Sequence, residues 1–204
     1  LRGMFRYFGA HTGRWSGRRV QLQNLARASM PTDAHTEAAI LDLVCGFGGD
    51  SETLKKLVRA MFVGPFVVSD YSAIEARVIA WLAGEEWVLE AFRQGRDIYV
   101  ETAKAMSTPG HQMSRSEGKV AVLALGYNGG AGSLFAMGYE GSEAEAWNLV
   151  KLWRKTNPRI VRFWADLEVA FCKGEGTVGR IRVESKGSTR EPVLPSGRAS
   201  YYRA

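Results

Sequence analysis

The stretch RSEGKVAVLALGY, Arg115 to Tyr127, decides how the rest of the chain reads. Its apolar spacing predicts a helix, with Arg115, Lys119, Leu123 and Tyr127 following one another at four-residue steps. Side chains at i and i+4 share a helical face, so these form one stripe bearing two cations and a phenol. Two readings stay open on this stretch alone. Either the basic side chains snorkel from a core helix to solvent, or the stripe is a site for a phosphate-rich ligand. Ser114 and Glu117 have the spacing of a capping box, which starts the helix just before Arg115. Arg115 then stands in the first turn, where the helix dipole disfavours a cation, and this hints at an anion nearby.

Upstream, PFVVSD (Pro65 to Asp70) reads as a short buried strand running directly into the helical pattern SAIEARVIAWLAG. Ser72 and Glu75 have capping-box spacing at that helix start. Asp70 falls at the strand's carboxyl end, where a carboxylate can hold a hard cation such as Mg²⁺. A plain strand-to-helix turn is the competing reading, and position alone favours it. Arg77 fits a surface pairing with a neighbouring carboxylate.

Further back, 31–44 and 51–62 show helical spacing on either side of the turn CGFGGD. Residues 1–30 read as loop or irregular strand. There Arg14, Arg18 and Arg19 lie among Trp15, Gln21, Gln23 and Asn24, a mixture suited to phosphate and base-edge contacts or, equally, to a solvated loop.

From Glu85 to about Lys173 the pattern is mainly helical, broken at TPGH, at NGGAG and at Asn157-Pro158. In the tail, Ile181 and Val183 alternate with Arg180, Arg182 and Glu184, which predicts a half-exposed strand, with ASYY as the second arm of a hairpin. The glycines of GYNGGAGS have no following Gly-Lys-Ser/Thr, so a Walker-type phosphate loop is excluded. The fold class is α/β of the α+β kind.

The 204 residues suffice for a real core, and a net charge of +6 points mildly toward polyanionic partners. Two cysteines and three scattered histidines argue against a disulfide scaffold or a zinc site. No secretory signal and no apolar run of the ~20 residues that span a bilayer is present, so a soluble intracellular setting is the expectation.

Taken in order, these segments resemble the family A DNA polymerases, the bacterial polymerase I type. TGRWSGRRVQLQN resembles that family's TGR…LQN segment, and VVSDYSAIEARV its motif DYSQIELR. DIYVETA is similar to the segment that follows, and RSEGKVAVLALGY matches the fingers-helix pattern R-x3-K-x7-Y-G up to its tyrosine. SAIEARVIAWLAGE and LALGYNGG look closer to phage-encoded members.

The resemblance implies a partial palm with short β-strands over 1–84, helical fingers over 85–175 and a hairpin returning toward the palm over 176–204. It implies Mg²⁺ in a two-metal site, with Asp70 as one carboxylate and the Tyr71 carbonyl as a neighbouring ligand. Arg115 and Lys119 would bind the triphosphate of a dNTP and offset transition-state charge. Tyr127 would lie near the templating position or the sugar, Glu75 would crowd the sugar 2′ position, and Arg14, Gln23 and Asn24 would contact primer–template DNA.

The pattern is also departed from. Ala73 replaces a glutamine, Tyr99 a histidine that faces the nucleotide, Leu123 an aromatic residue, and Asn128 a glycine. The family's His-Asp-Glu motif is missing, since none of the histidines precedes an aspartate, and no thumb or exonuclease segment is recognisable. The resemblance thus implies a palm-and-fingers part lacking the second metal-binding carboxylate and weakly active alone. It implies no membrane and the cytoplasm of a bacterium or phage-infected host. A single-subunit phage-type RNA polymerase is an alternative that Glu75 argues against. A non-catalytic nucleic-acid-binding module is another.

Overall fold

Apolar residues recur at helical spacing between Ile74 and Lys173, and helices form there. The computed structural model describes residues 3–10, 12–19, 21, 24–25, 41, 45, 67 and 69–203. The chain divides into two units, Leu1–Ser69 and Asp70–Ala204. In the first, β1 (Phe5–Arg6) pairs antiparallel with β2 (Ser16–Gly17). The second runs α1 (Ile74–Ala83), α2 (Glu86–Arg93), α3 (Ile98–Met106), α4 (Arg115–Leu125), α5 (Ala131–Ala136), α6 (Glu143–Thr156) and α7 (Pro158–Lys173). An antiparallel sheet follows in the order β3 (Gly176–Val178), β4 (Ile181–Lys186), β5 (Thr189–Val193) and β6 (Tyr202–Arg203).

The helix breaks fall at the expected places, and side-chain caps fix several starts. Ser114 with Glu117 and Ser142 with Glu145 close complete capping boxes on α4 and α6. Pro158 opens α7, where a missing N–H costs nothing. One cap was not legible in the sequence. Buried Glu85, between α1 and α2, accepts from the N–H groups of Arg159 (2.8 Å) and Ile160 (3.3 Å) at the start of α7. Arg159 Nη1 returns a bond of 2.8 Å to the Gly84 carbonyl. A carboxylate at a helix N-terminus satisfies orphan donors and complements the dipole.

Met106, Leu125, Leu134 and Val150 lie at the centre of the core formed by α3 to α7. Trp153 and Trp164 stack beside it at 5.7 Å. Helices α3 and α4 meet unusually closely because α4 carries Gly118 on its inner face. A Cβ there would lie 2.1 Å from the Tyr99 carbonyl oxygen and 3.0 Å from Ala103 Cβ.

Four local expectations need correction. The strand read at Pro65–Asp70 is not formed where it is described: Val67, Ser69 and Asp70 are irregular and exposed, Val67 at 99%. The Ser72–Glu75 capping box is also absent. Helix α1 begins behind Ala73, whose left-handed conformation (φ 47°) makes no side-chain cap. Among the described residues Arg77 meets no carboxylate. Its Nε donates to the Ser72 carbonyl at 2.9 Å while its guanidinium lies 3.9 Å above the Phe92 ring, so it ties the entry loop to α1 and α2.

The fourth correction concerns the tail. Strand β4 has the expected alternation, with Ile181 and Val183 buried, but its partner is TREPV rather than ASYY. Lys186 sits opposite Thr189, leaving a two-residue loop whose Gly187 takes the positive φ (60°) such turns require. Of ASYY only Tyr202 enters a strand, at the far edge. The β3–β4 turn is held on α1 by Arg180, 4.6 Å above the Trp81 ring. Of the helix read at 31–44 only Leu41 is described, its carbonyl accepting from the N–H of Cys45 just beyond at 2.8 Å, and the helix read at 51–62 lies outside the described residues.

Two glycine substitutions distinguish close packing from open surface. Gly118→Ala should destabilise the chain by about 1–3 kcal/mol, the usual cost of overpacking. Gly132→Ala on α5, with nothing within 4 Å of its Cβ, should stabilise it by about 0.4–1 kcal/mol. Urea denaturation of both variants checks the opposite signs.

Candidate nucleotide site on helix α4

The capping box starts α4 at Arg115, and Gly118 sets how near that start lies to α3. Arg115 therefore reaches Asp97, the residue that caps α3, with Nε 2.7 Å from Oδ2. Asp97 Oδ1 meanwhile accepts from the Tyr99 N–H at 2.9 Å. The Arg115 guanidinium also lies 5.3 Å from the centre of the Tyr99 ring. The anion called for by a cation in the first helical turn is thus met within the chain, by Asp97. Partial desolvation pushes the Asp97 carboxyl up. Arg115 and the backbone N–H groups of Tyr99 and Val100 outweigh it and hold the carboxyl below its usual range.

Lys119 stands one turn on, exposed and, among the described residues, without an ion pair. Leu123 follows, half-buried. The stripe ends there as a helix: α4 stops at Leu125, two residues short of the expected Tyr127. Tyr127 is 67% exposed in the turn beyond. Asn128 explains that turn, since it adopts a left-handed φ of 60°, a conformation that glycine takes freely and asparagine tolerates best among other residues. Arg154 of α6 donates to its Oδ1 at 3.3 Å. Arg115, Lys119 and Leu123 all lie away from the cavity of about 360 Å³ beside α4, whose lining includes Met113, Val120, Leu134 and Leu149.

The structure brings Arg115, Lys119 and Tyr99 together and leaves other expected residues apart. Asp70 and Tyr71 are exposed in the irregular segment before α1, with no hydrogen bond to α4 among the described residues. Glu75 sits in the first turn of α1, half-buried. Arg14 and Asn24 are exposed in the first unit, where Asn24 Nδ2 donates to Gln21 Oε1 at 2.7 Å. Gln23 lies outside the described residues. Among the described residues no group of three or more His, Cys, Asp or Glu side chains stands ready for a metal. No described helix is long and apolar enough to cross a membrane.

Comparisons with known proteins identify the family. The family model of DNA polymerase family A matches residues 1–184. The chain belongs to that family. Among curated proteins it is similar to the DNA polymerase of Bacillus phage SP02, 44% identical over 197 residues, covering 85% of this chain and 30% of that protein. The thermostable DNA polymerase I of Thermus aquaticus is 52% identical over 57 residues, which are 26% of this chain and 7% of that one. The DNA polymerase of Mycobacterium phage L5 is 39% identical over 82 residues, 38% of this chain and 13% of that protein. The chain thus spans less than a third of the length of these relatives.

Within this family A chain, sequence reasoning missed two residues that build the site. Asp97 is visible only as the acid preceding a helical run, the ordinary signature of a cap. Gly118 reads as a weak helix former until the facing backbone is known.

Glu117 gives the stability of the fold a pH dependence. Its carboxylate accepts from the Ser114 N–H and hydroxyl, each at 2.8 Å, and lies 2.8 Å from His111 Nε2. The Ser114 N–H above all, joined by its hydroxyl and by His111, holds the Glu117 carboxyl below its usual range against partial desolvation. The folded state therefore binds its proton less readily than the unfolded chain. Glu117 adds stability that is present above the unfolded value, roughly 4.3, and is lost as pH falls through the lower folded value. Urea denaturation across pH should show the advantage of wild type over Glu117→Gln shrinking below about pH 4.

Proposed function

We propose that this chain is the palm-and-fingers part of an enzyme that adds deoxynucleotides to a primer 3′ hydroxyl under the direction of a DNA template. The observation that carries this reading is the exposed pair of cations one turn apart on α4, in a chain that belongs to DNA polymerase family A. In this reading 1–84 form the palm part, 85–175 the fingers and 176–204 the returning hairpin. The single-subunit RNA polymerase alternative has no comparable support, because the relatives found are DNA polymerases.

The steps assigned to the chain are electrostatic. Arg115 exchanges the Asp97 carboxylate for phosphate oxygens, which its planar fork can bind in pairs. Lys119 offsets the negative charge that builds as the leaving pyrophosphate separates. The Tyr99 ring steadies the guanidinium. Leu123 and Tyr127 continue the stripe toward the base and sugar, and Glu75 crowds the 2′ position. Arg14, Gln23 and Asn24 contact the primer–template duplex. Synthesis in the cytoplasm of a bacterium or phage-infected host belongs to the same proposal.

Family A polymerases generally use Mg²⁺. Asp70 and the Tyr71 carbonyl offer the hard oxygen ligands this ion takes. They supply one carboxylate of the pair that a two-metal site needs, so the described residues do not by themselves fit it, and no step is drawn through the ion.

Calorimetric titration with a dNTP tests the proposal. Lys119→Ala should weaken binding roughly 10- to 100-fold, the value of a hydrogen bond to a charged group, while Lys119→Arg keeps most of it. Equal affinity for wild type and Lys119→Ala would sink the assignment. A second titration compares ribo- and deoxynucleotides: Glu75→Ala should narrow the preference for the deoxy form, and an unchanged ratio would remove Glu75 from the sugar contact.

A further inference from the structure

The cavity beside α4 opens on a different face of that helix from Arg115, Lys119 and Leu123. Met113, Val120, Ala121, Leu134 and Leu149 make its apolar floor, between α4, α5 and α6. Ser116, Glu117, Tyr139 and Glu140 make its polar rim. The rim depends on two glycines in the loop between α5 and α6. Gly138 takes a positive φ of 89°, and a Cβ on Gly141 would lie 2.3 Å from the Tyr139 hydroxyl oxygen. The loop therefore closes tightly over the Tyr139 ring, which meets Phe135 at 6.0 Å. Close-packed protein interiors leave few voids larger than a water molecule. At about 360 Å³ this cavity has instead the size of a small-ligand site, where apolar walls carry a few placed polar groups.

Charge at the rim selects the ligand. Among the described residues no lysine or arginine lines the cavity. Two carboxylates do, and they differ. Both Glu117 oxygens are engaged: Oε2 accepts from Ser114, and Oε1 lies 2.8 Å from His111 Nε2. The Glu140 carboxylate is exposed and, among the described residues, has no hydrogen bond or ion pair. Desolvation above all, with the charges of Glu145 and Glu117, pushes the Tyr139 phenol above its usual range. It therefore stays a neutral hydroxyl, able to accept a hydrogen bond. An anion is repelled by this rim, and a neutral molecule leaves Glu140 unpaired. A cation with an apolar body suits floor and rim together.

We propose that this cavity binds a small organic cation, an apolar body carrying one protonated amine, with the body against Val120, Leu134 and Leu149 and the amine at Glu140 and the Tyr139 hydroxyl. The site goes beyond the proposed function and stands whether or not Arg115 and Lys119 bind a nucleotide.

The full chain is titrated, with binding followed by NMR, against three probes that share one body: 4-phenylbutylamine, 4-phenyl-1-butanol and 4-phenylbutyrate. The amine should bind roughly three- to tenfold tighter than the alcohol, as expected of a partly exposed contact to a charged group, and the carboxylate weakest. That comparison needs no variant. Glu140→Gln should bring the amine down to the alcohol, and Glu140→Lys should favour the carboxylate instead. Leu149→Trp, which fills the cavity, should abolish binding of all three, with circular dichroism checking its fold. If that variant does not fold, the Glu140 variants, at an exposed position, carry the test. Equal affinity of the wild type for amine and alcohol would overturn the proposal. So would an order of affinities unchanged by Glu140→Lys, or full amine binding to a folded Leu149→Trp.

Discussion

The approach of α4 to α3 at Gly118 is the constraint on which the candidate site rests. With 2.1 Å between a notional Cβ and the Tyr99 carbonyl oxygen, no other residue fits without moving one helix. That spacing puts the first turn of α4 beside the cap of α3, so that one carboxylate, Asp97, serves both helices. Ala121, Ala124 and Leu125 complete the inner face of α4. Because these are mostly small residues, the helix sinks into the core and presents only its opposite stripe to solvent. The cations are exposed because the glycine and alanines are not.

The Asp97–Arg115 pair has a double character. It is half-exposed, with side-chain exposures of 57% for Arg115 and 38% for Asp97, so its contribution to stability is small. Its value is geometric: a long flexible cation is held in one place before any ligand arrives, which lowers the entropy lost on binding. In the proposed function the same contact is given up to a phosphate. A weak surface pair allows that exchange, whereas a buried one would oppose it. Lys119, with no such partner among the described residues, is the more accessible charge.

Helix starts, helix breaks and the β4 alternation were legible in the sequence because each depends on residues within four positions. The α4 capping box and the Asn157-Pro158 break are of this kind. What escaped was set by distant partners. Glu85 caps a helix more than seventy residues away, and Asp97 meets Arg115 eighteen residues on. The Ser72–Glu75 spacing failed for the converse reason. A local signal was present, but the left-handed Ala73 and the Arg77–Phe92 contact set the entry to α1 instead.

Charge is distributed as unevenly as packing. Because the basic excess sits wholly within residues 1–30, residues 31–204 are electrically balanced, with 21 basic and 21 acidic side chains. A balanced surface gives no long-range pull on nucleic acid, and screening over about 10 Å at moderate salt confines the α4 cations to short range. An arginine-rich segment such as residues 1–30, by contrast, favours polyanions through a term that depends steeply on salt. In the proposed function the chain therefore divides the work of recognition: attraction by charge from residues 1–30, and contact at short range by an arginine and a lysine fixed on the helix that Gly118 positions.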